Sequence, residues 1–324
     1  MVTIDRTLVV AALKLAAPYI RLYKGKTFVL KAGGAIFARE EKTRALLEQV
    51  ALLHQLGIRV VFVHGGGPQS TDLQKALGIE PRMVEGRRVT CAKTLEVSAM
   101  VLNGLVNTRI LAICRELKLP AIGLSGVDGG LIKARKRPIE PVDFGFVGDV
   151  IEVDAKLLED QLKLGYVPVV SPLSADNSGT LLNINADTVA SAIAVAMKAE
   201  KLILATGAAG ILEDPKNPQS LVSYTDLAGL ESLKRMGRLE VGMIPKASSI
   251  ASALNGGVPR VHVISYEDHD ALLLEVFTNE GTGTLIVKGI DSLTPEEQKA
   301  GESQLAASSA APTYPARTRE REPV

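Results

Sequence analysis

Along the chain, short runs of apolar and β-branched residues alternate with longer stretches in which apolar positions recur every three or four residues. A strand buried on both faces reads as a continuous apolar run, whereas a helix burying one face repeats with its turn. Alternation of the two predicts a mostly parallel sheet covered by helices, so the fold class is α/β. The pattern predicts strands at Thr27–Lys31, Ile58–His64, Ala121–Leu124, Tyr166–Ser171, Lys201–Ala205, Arg260–Ser265 and Thr284–Val287. It predicts helices at Glu40–Leu56, Thr90–Leu117, Asp187–Ala199 and Lys246–Asn255, with Gly57 and Gly256 as C-terminal caps. Leu131–Val153 reads as irregular strand and hairpin. No segment before residue 290 has a linker's composition, so any domain boundary is tight; it is expected near Ala199, dividing 26–199 from 200–290. From Asp291 onward, Ser, Ala, Pro, Glu and Arg replace large apolar residues, and the tail 291–324 is expected to be disordered because it cannot bury enough surface.

Composition narrows the function. Of 324 residues, 46% are hydrophobic, enough for a full core. The 37 basic and 36 acidic residues leave a net charge of +1, which offers no global field for nucleic acid or an anionic membrane, so a small-molecule partner is expected. Cys91 and Cys114 fall in predicted helix with no CxxC or Cys/His cluster, which suggests neither zinc nor a disulfide framework and fits a reducing cytoplasm. Leu8–Ala17 could pass for the apolar core of a signal peptide, but no basic segment precedes it and Lys14 interrupts it. No run reaches the roughly 18 apolar residues of a spanning helix, so a soluble cytoplasmic protein is expected.

Candidate chemistry lies where strands empty into glycines: Lys31-Ala-Gly-Gly34, His64-Gly-Gly-Gly67-Pro68, and the stretch Gly123–Gly130. Glycine lets backbone N–H groups approach an anion, and a following helix N-terminus adds favourable potential. One such cluster is usually a turn; three together point to phosphate or carboxylate binding at the C-terminal ends of the strands. There is no GxxxxGK[ST] and no GxGxxG opening a helix after a strand, so neither a Walker-type nor a dinucleotide-binding domain is indicated. His64, ending an apolar strand, reads as structural.

These segments resemble the amino-acid kinase superfamily, and within it the N-acetylglutamate kinase family. FVLKAGG (Phe28–Gly34), VFVHGGGPQ (Val61–Gln69) and EGRRVT (Glu85–Thr90) match its first two glycine loops and its substrate clamp. GLSGVDGGLI, EPVDFGFVGDV, NINADTVASAIA, AEKLILATGAAGIL, GMIPKA and ALLLEVFTNEGTGTLI follow in family order, so the resemblance spans roughly residues 18 to 288. It implies a three-layer α/β/α sandwich in two lobes, with N-acetyl-L-glutamate held by 26–199, ATP with Mg2+ mainly by 200–290, and no metal ligands from protein side chains. By the same resemblance, Lys31 would lie against the transferring phosphoryl group and Lys246 against the ATP phosphates, with Asp187 between them. Gly33, Gly34 and Gly66 would donate N–H groups to phosphate, and Gly66, Gly67, Arg88 and Asn183 would hold the acceptor. Read by themselves, these residues have blander roles too: Asp187 as a helix cap, Arg88 as surface charge.

The segment Ile4–Tyr23 resembles the extra N-terminal helix (1–25) of arginine-inhibited members, and His262, Glu275 and Gly281 match positions lining their arginine site. Feedback inhibition by L-arginine in a homo-oligomer, dimer or hexamer, is therefore expected; a PII-type regulator binds some relatives, and no residue here decides that question. The chain departs from the family at Gly207, Ala35 and Val127, where Asp, Asn and often Lys are usual. Another amino-acid kinase, or a catalytically weak arginine or nucleotide sensor of the same fold, stay open as alternatives.

Overall fold

The computed structural model describes residues 6–292 apart from 85, 215, 218, 240, 241, 279 and 280. All of the expected disordered tail but its first two residues lies outside them.

The chain enters through helix α1 (Arg6–Tyr23), as expected, and Tyr23 closes it by packing edge-on against Phe28, with ring centroids 5.2 Å apart. Strand β1 (Thr27–Ala32), helix α2 (Glu40–Gln55), strand β2 (Arg59–His64) and helix α3 (Gly67–Ala76) form the first βαβα run. Gly57 ends α2 region at φ +85°, a conformation an L side chain resists. A short hairpin of β3 (Met83–Val84) and β4 (Arg87–Arg88) leads into α4 (Ala92–Ala99), a π-helix (Met100–Asn107) and α5 (Thr108–Glu116). The predicted helix Thr90–Leu117 is therefore one helical stretch with a widened middle. By length and composition Ala92–Glu116 is apolar enough to cross a membrane, yet its Val97, Val101, Val106, Ile110 and Cys114 are buried in the core. Cys91 lies just before this helix and is exposed.

Strand β5 (Ala121–Ser125) is followed by β6 (Ile132–Lys136), β7 (Gly148–Val153), α6 (Ala155–Lys163), β8 (Val167–Ser171), β9 (Leu173–Ala175) and β10 (Leu181–Asn183). The remainder comprises α7 (Ala186–Ala196), β11 (Lys201–Thr206), β12 (Tyr224–Asp226), α8 (Leu227–Arg235), α9 (Met243–Asn255), β13 (Arg260–Ser265), α10 (Ala271–Phe277) and β14 (Thr284–Val287). Gly256 is the C-terminal cap of α9, as expected, its N–H donating to Ser252 O (2.9 Å), and Gly257 after it takes the left-handed turn at φ +98°.

Among the described residues eight strands form the main sheet, in the order β12-β14-β13-β11-β1-β2-β8-β5. Every neighbouring pair is parallel except β13 with β14. Along β1, Phe28, Leu30 and Ala32 face one hydrophobic cluster, with α2, while Val29 faces the other, with α7 and α9. Two apolar faces on one strand require a layer on each side, which is the three-layer sandwich. A smaller sheet, β10-β9-β6-β7, carries the Leu131–Val153 hairpin. In the main sheet β1 sits between β2 and β11, and the strand order turns around there; the glycine loops after β1 and β2 line one cleft at the carboxyl ends.

Candidate active site

Lys31 is the penultimate residue of β1, in register with Val63 of β2 and Leu204 of β11. Beyond it the Gly33-Gly34 loop is held against the second glycine loop: Gly65 N donates to Ala32 O (3.0 Å) and Gln69 Nε2 to Gly34 O (2.7 Å). A Cβ on Gly34 would lie 2.8 Å from Gly67 N and 2.8 Å from Pro68 Cδ, so the loops touch only because Gly34 has none. Gly67 and Pro68 open α3, whose unpaired N–H end joins the crevice wall.

From the other side comes α7. Its cap is Asn185, whose Oδ1 accepts from Asp187 N (2.7 Å) and Thr188 N (3.4 Å), not Asp187 as one reading of the sequence had it. That leaves the Asp187 carboxylate to ion-pair with Lys31 Nζ at 2.8 Å and Lys246 Nζ at 3.1 and 3.2 Å. All three side chains are buried. Burial by itself would raise the Asp187 carboxyl, but the two ammonium groups overcome it and hold it at about 2. Burial, then repulsion from Lys31, lowers Lys246 to about 8 against the pull of Asp187. Lys246 stands in the first turn of α9, where a cation opposes the helix dipole; the carboxylate partner explains its presence there.

A cleft of about 760 Å³ runs along this triad, lined by Lys31, Gly33, Gly34, Gly66, Gly67, Arg88, Asn183 and Asp187 among others. Arg88 is half-buried and anchored, with Nη2 donating to Thr71 Oγ1 (2.6 Å) and Gly67 O (3.1 Å), and Nη1 buried without a partner among the described residues. Burial lowers its pKa. Asn183 Nδ2 donates to Thr90 Oγ1 at 3.3 Å. The structure thus gathers every residue expected for the reaction at one place. The third glycine cluster does not join them: it begins inside the edge strand β5 with Gly123 and ends in a tight turn in which Gly129 and Gly130 have φ +59° and +71°, all outside the cleft lining. His64 is fully buried against Asn107, 3.1 Å away, as its structural reading required.

His262, Glu275 and Gly281 form a second group. His262 Nδ1 is 2.7 Å from Glu275 Oε1, Gly283 N donates to Glu275 Oε2 (3.2 Å), and a Cβ on Gly281 would lie 2.4 Å from that same oxygen. Sequence reading missed Lys201, whose Nζ is 2.9 Å from His262 Nε2 and 5.2 Å from the centre of the Tyr23 ring. A lysine opening an otherwise apolar central strand was the signal for it. Burial would raise the Glu275 carboxyl, but His262 and Lys201 pull it below its ordinary value. Of the departures, Gly207 leaves room that the Tyr266 hydroxyl occupies, 3.0 Å from where a Cβ would stand; Ala35 and Val127 are exposed.

A sequence profile of the amino acid kinase family matches residues 26–265. Acetylglutamate kinase from Myxococcus xanthus is 46% identical over 289 residues, covering 86% of this chain and 94% of that protein. Acetylglutamate kinase from Symbiobacterium thermophilum is 46% identical over 284 residues, covering 86% and 97%. The chain belongs to the acetylglutamate kinase family. As a member of it, within the amino acid kinases, the chain is a phosphotransferase with a carboxyl acceptor. Among solved structures, N-acetylglutamate synthase from Neisseria gonorrhoeae complexed with coenzyme A and N-acetyl-glutamate shares 31% identity at a TM-score of 0.78, covering 86% of this chain. The chain spans only 63% of that synthase, which was also solved with coenzyme A and L-arginine, at a TM-score of 0.77 and 30% identity.

Proposed function

We propose that this acetylglutamate kinase family member transfers the γ-phosphoryl group of ATP to the side-chain carboxylate of N-acetyl-L-glutamate. A carboxylate oxygen attacks the γ-phosphorus, the bond to the β-phosphate oxygen breaks, and ADP leaves with its electron pair. The observation that carries this reading is the buried Lys31–Asp187–Lys246 triad at the meeting of two glycine loops. Phosphoryl transfer asks the protein for position and positive charge more than for a nucleophile. The acceptor, with a reference pKa of about 4.3, is already ionised, so no general base is needed.

In this assignment Lys31 faces the transferring group, Lys246 faces the nucleotide phosphates, and Asp187 offsets their mutual repulsion until substrate arrives. Gly33, Gly34 and Gly66 supply N–H donors; Arg88 and Asn183, with Gly67, hold the acceptor's α-carboxylate and acetamido group. Arg88 suits a two-point carboxylate clamp. Both Asp187 oxygens face ammonium groups, so Mg2+ would enter on the nucleotide's own phosphates, where it would neutralise their charge. We assign the acceptor to 26–199 and the nucleotide mainly to 200–290, in a cytoplasmic enzyme whose cysteines are free.

The same reading includes inhibition by L-arginine. The buried Glu275 carboxylate suits a guanidinium, and α1 leaves Leu8, Leu15 and Leu22 exposed at seven-residue spacing, an apolar flank suited to joining subunits into a hexamer.

The test is acyl-phosphate formation trapped as the hydroxamate, with N-acetylglutamate compared with glutamate, aspartate and N-acetylaminoadipate. Preference for N-acetylglutamate, abolished in Lys31→Ala and Lys246→Ala, is the expected result; turnover of another acceptor instead would reassign the substrate. With millimolar arginine added, activity is expected to fall in the parent and to persist in Glu275→Gln. Unchanged activity in the parent, or a dimer by light scattering, would remove the regulatory part.

A further inference from the structure

The Gly65–Gly67 loop rests on the π-helix. A Cβ on Gly66 would lie 2.9 Å from Leu102 Cδ2, 3.5 Å from Val101 Cγ1 and 3.6 Å from Val106 Cγ2. Val101 and Val106 are one π turn apart, whereas in an α-helix residues five apart point about 140° away from each other. The widened turn is what lets both support the same glycine. It also aims Asn103 and Asn107 at strand β8: Asn103 Oδ1 accepts from Ser171 Oγ, and Asn107 Nδ2 donates to Val169 O at 3.0 Å.

Asn107 then sets the state of His64. Because Val169 O can only accept, Nδ2 must be the atom on that side, and its second hydrogen meets His64 Nε2 at 3.1 Å. That makes Nε2 the bare nitrogen of a neutral ring and places the proton on Nδ1, which lies 3.3 Å from Gly65 O. Burial, which lowers His64 to about 4, keeps the ring neutral at physiological pH. The amide is seated tightly: a Cβ on Gly123 would be 2.2 Å from Asn107 Oδ1. Across a trans peptide, the Gly65 carbonyl and the Gly66 N–H point in opposite directions. Holding the carbonyl against His64, which lies outside the cleft lining, turns the Gly66 N–H the other way, and Gly66 lines the cleft.

We propose that Asn107 and His64 are positioning residues that lock the Gly65–Gly66 peptide so that its N–H faces the phosphoryl group. The proposal rests on the reading of Gly66 as a phosphate donor. With the lock released, the peptide can turn its carbonyl to a site that must bind anions.

Two measurements test it. In the wild-type protein at neutral pH, long-range 1H–15N correlation is expected to show His64 protonated on Nδ1; protonation on Nε2 overturns the proposal. In the second, an asparagine at position 64 can place its amide near the Nδ1 position and donate to Gly65 O, whereas leucine and glutamine cannot. His64→Asn is therefore expected to stay close to the wild-type kcat, while His64→Leu loses about a hundred-fold, the scale of one oxyanion-type donor. KM for N-acetylglutamate should be unchanged in both. Asn107→Leu should fall in the same direction, and Asn103→Ala, whose lost side-chain hydrogen bond is the one from Ser171, should not.

If packing alone mattered, the smaller asparagine would be worse than leucine, and that order overturns the proposal. Should His64→Leu not fold, His64→Gln replaces it, with the same expectation. If the wild-type chain phosphorylates no N-acetylglutamate, the substrate reading fails by itself. The affinity of the same variants for ATP, measured by calorimetry, then decides the lock: weaker for leucine than for asparagine supports it, equal affinities overturn it.

Discussion

Asp187→Asn should lower kcat by about a hundred- to a thousand-fold, the range seen when one charge-stabilising group is removed from a preorganised site. The substitution keeps the shape and removes the charge that holds Lys31 and Lys246 together at 2.8 and 3.1 Å. Two buried ammonium groups then face each other uncompensated, and breaking a buried pair from one side costs about 3 kcal/mol or more. ATP should raise the melting temperature more in the variant than in the wild type, because its phosphates replace the missing negative charge.

The pH dependence follows from the same triad. In the free wild-type enzyme Lys246 loses its proton as pH rises through about 8, so kcat/KM for ATP should fall there. In Asp187→Asn that limb should move to lower pH, since the group favouring the charged lysine is gone. For stability the signs are opposite for the two partners. Asp187, lowered from 3.8 to about 2, contributes about 2 kcal/mol that is present above pH 4 and lost as pH falls through 2. Lys246, lowered from 10.5 to about 8, is a burden below pH 8 that is relieved as pH rises toward 10.5. A variant with wild-type kcat/KM and an unmoved alkaline limb would show that the carboxylate does not govern these lysines.

Gly34→Ala should cost about a hundred-fold in kcat, the effect of displacing reacting groups by about an ångström. Its new methyl would stand 2.8 Å from Gly67 N, 2.8 Å from Pro68 Cδ and 2.9 Å from Gln69 Oε1. Main chain and a proline ring cannot rotate away, so the two glycine loops must part, with a loss of about 1–3 kcal/mol for overpacking. Gly67→Ala is the contrast: nothing lies within 4 Å of its Cβ position, so its melting temperature should stay near that of the wild type. Equal melting temperatures for the two variants would mean that the loops have slack the structure does not indicate.

Much of this was legible in the chain and some was not. The seven predicted strands all form, since a β-branched apolar run has few other uses. Helix α3, GPQSTDLQKA, was missed because its single leucine gives no apolar period; it is fixed by the glycine loop before it. The π-helix MVLNGLVN escaped because a segment so apolar shows no preferred repeat, and only the strands beneath it distinguish a π turn from an α turn. In NINAD, Asn185 and Asp187 are both good caps by type, and nothing local says which of them keeps its side chain free for a lysine.

Local preference, acting over a few residues, is enough to determine the α/β class, the strands and the glycines that end β1 and β2. The sequence carries those by itself. That Lys31, Asp187 and Lys246 meet, that the Gly123–Gly130 cluster stays outside the cleft lining, and that Lys201 reaches His262 were decided by the tertiary structure. Parallel strands bring their carboxyl ends to one edge whatever their separation along the chain, and the order in which they pair, which no local preference encodes, determines which of those ends become neighbours.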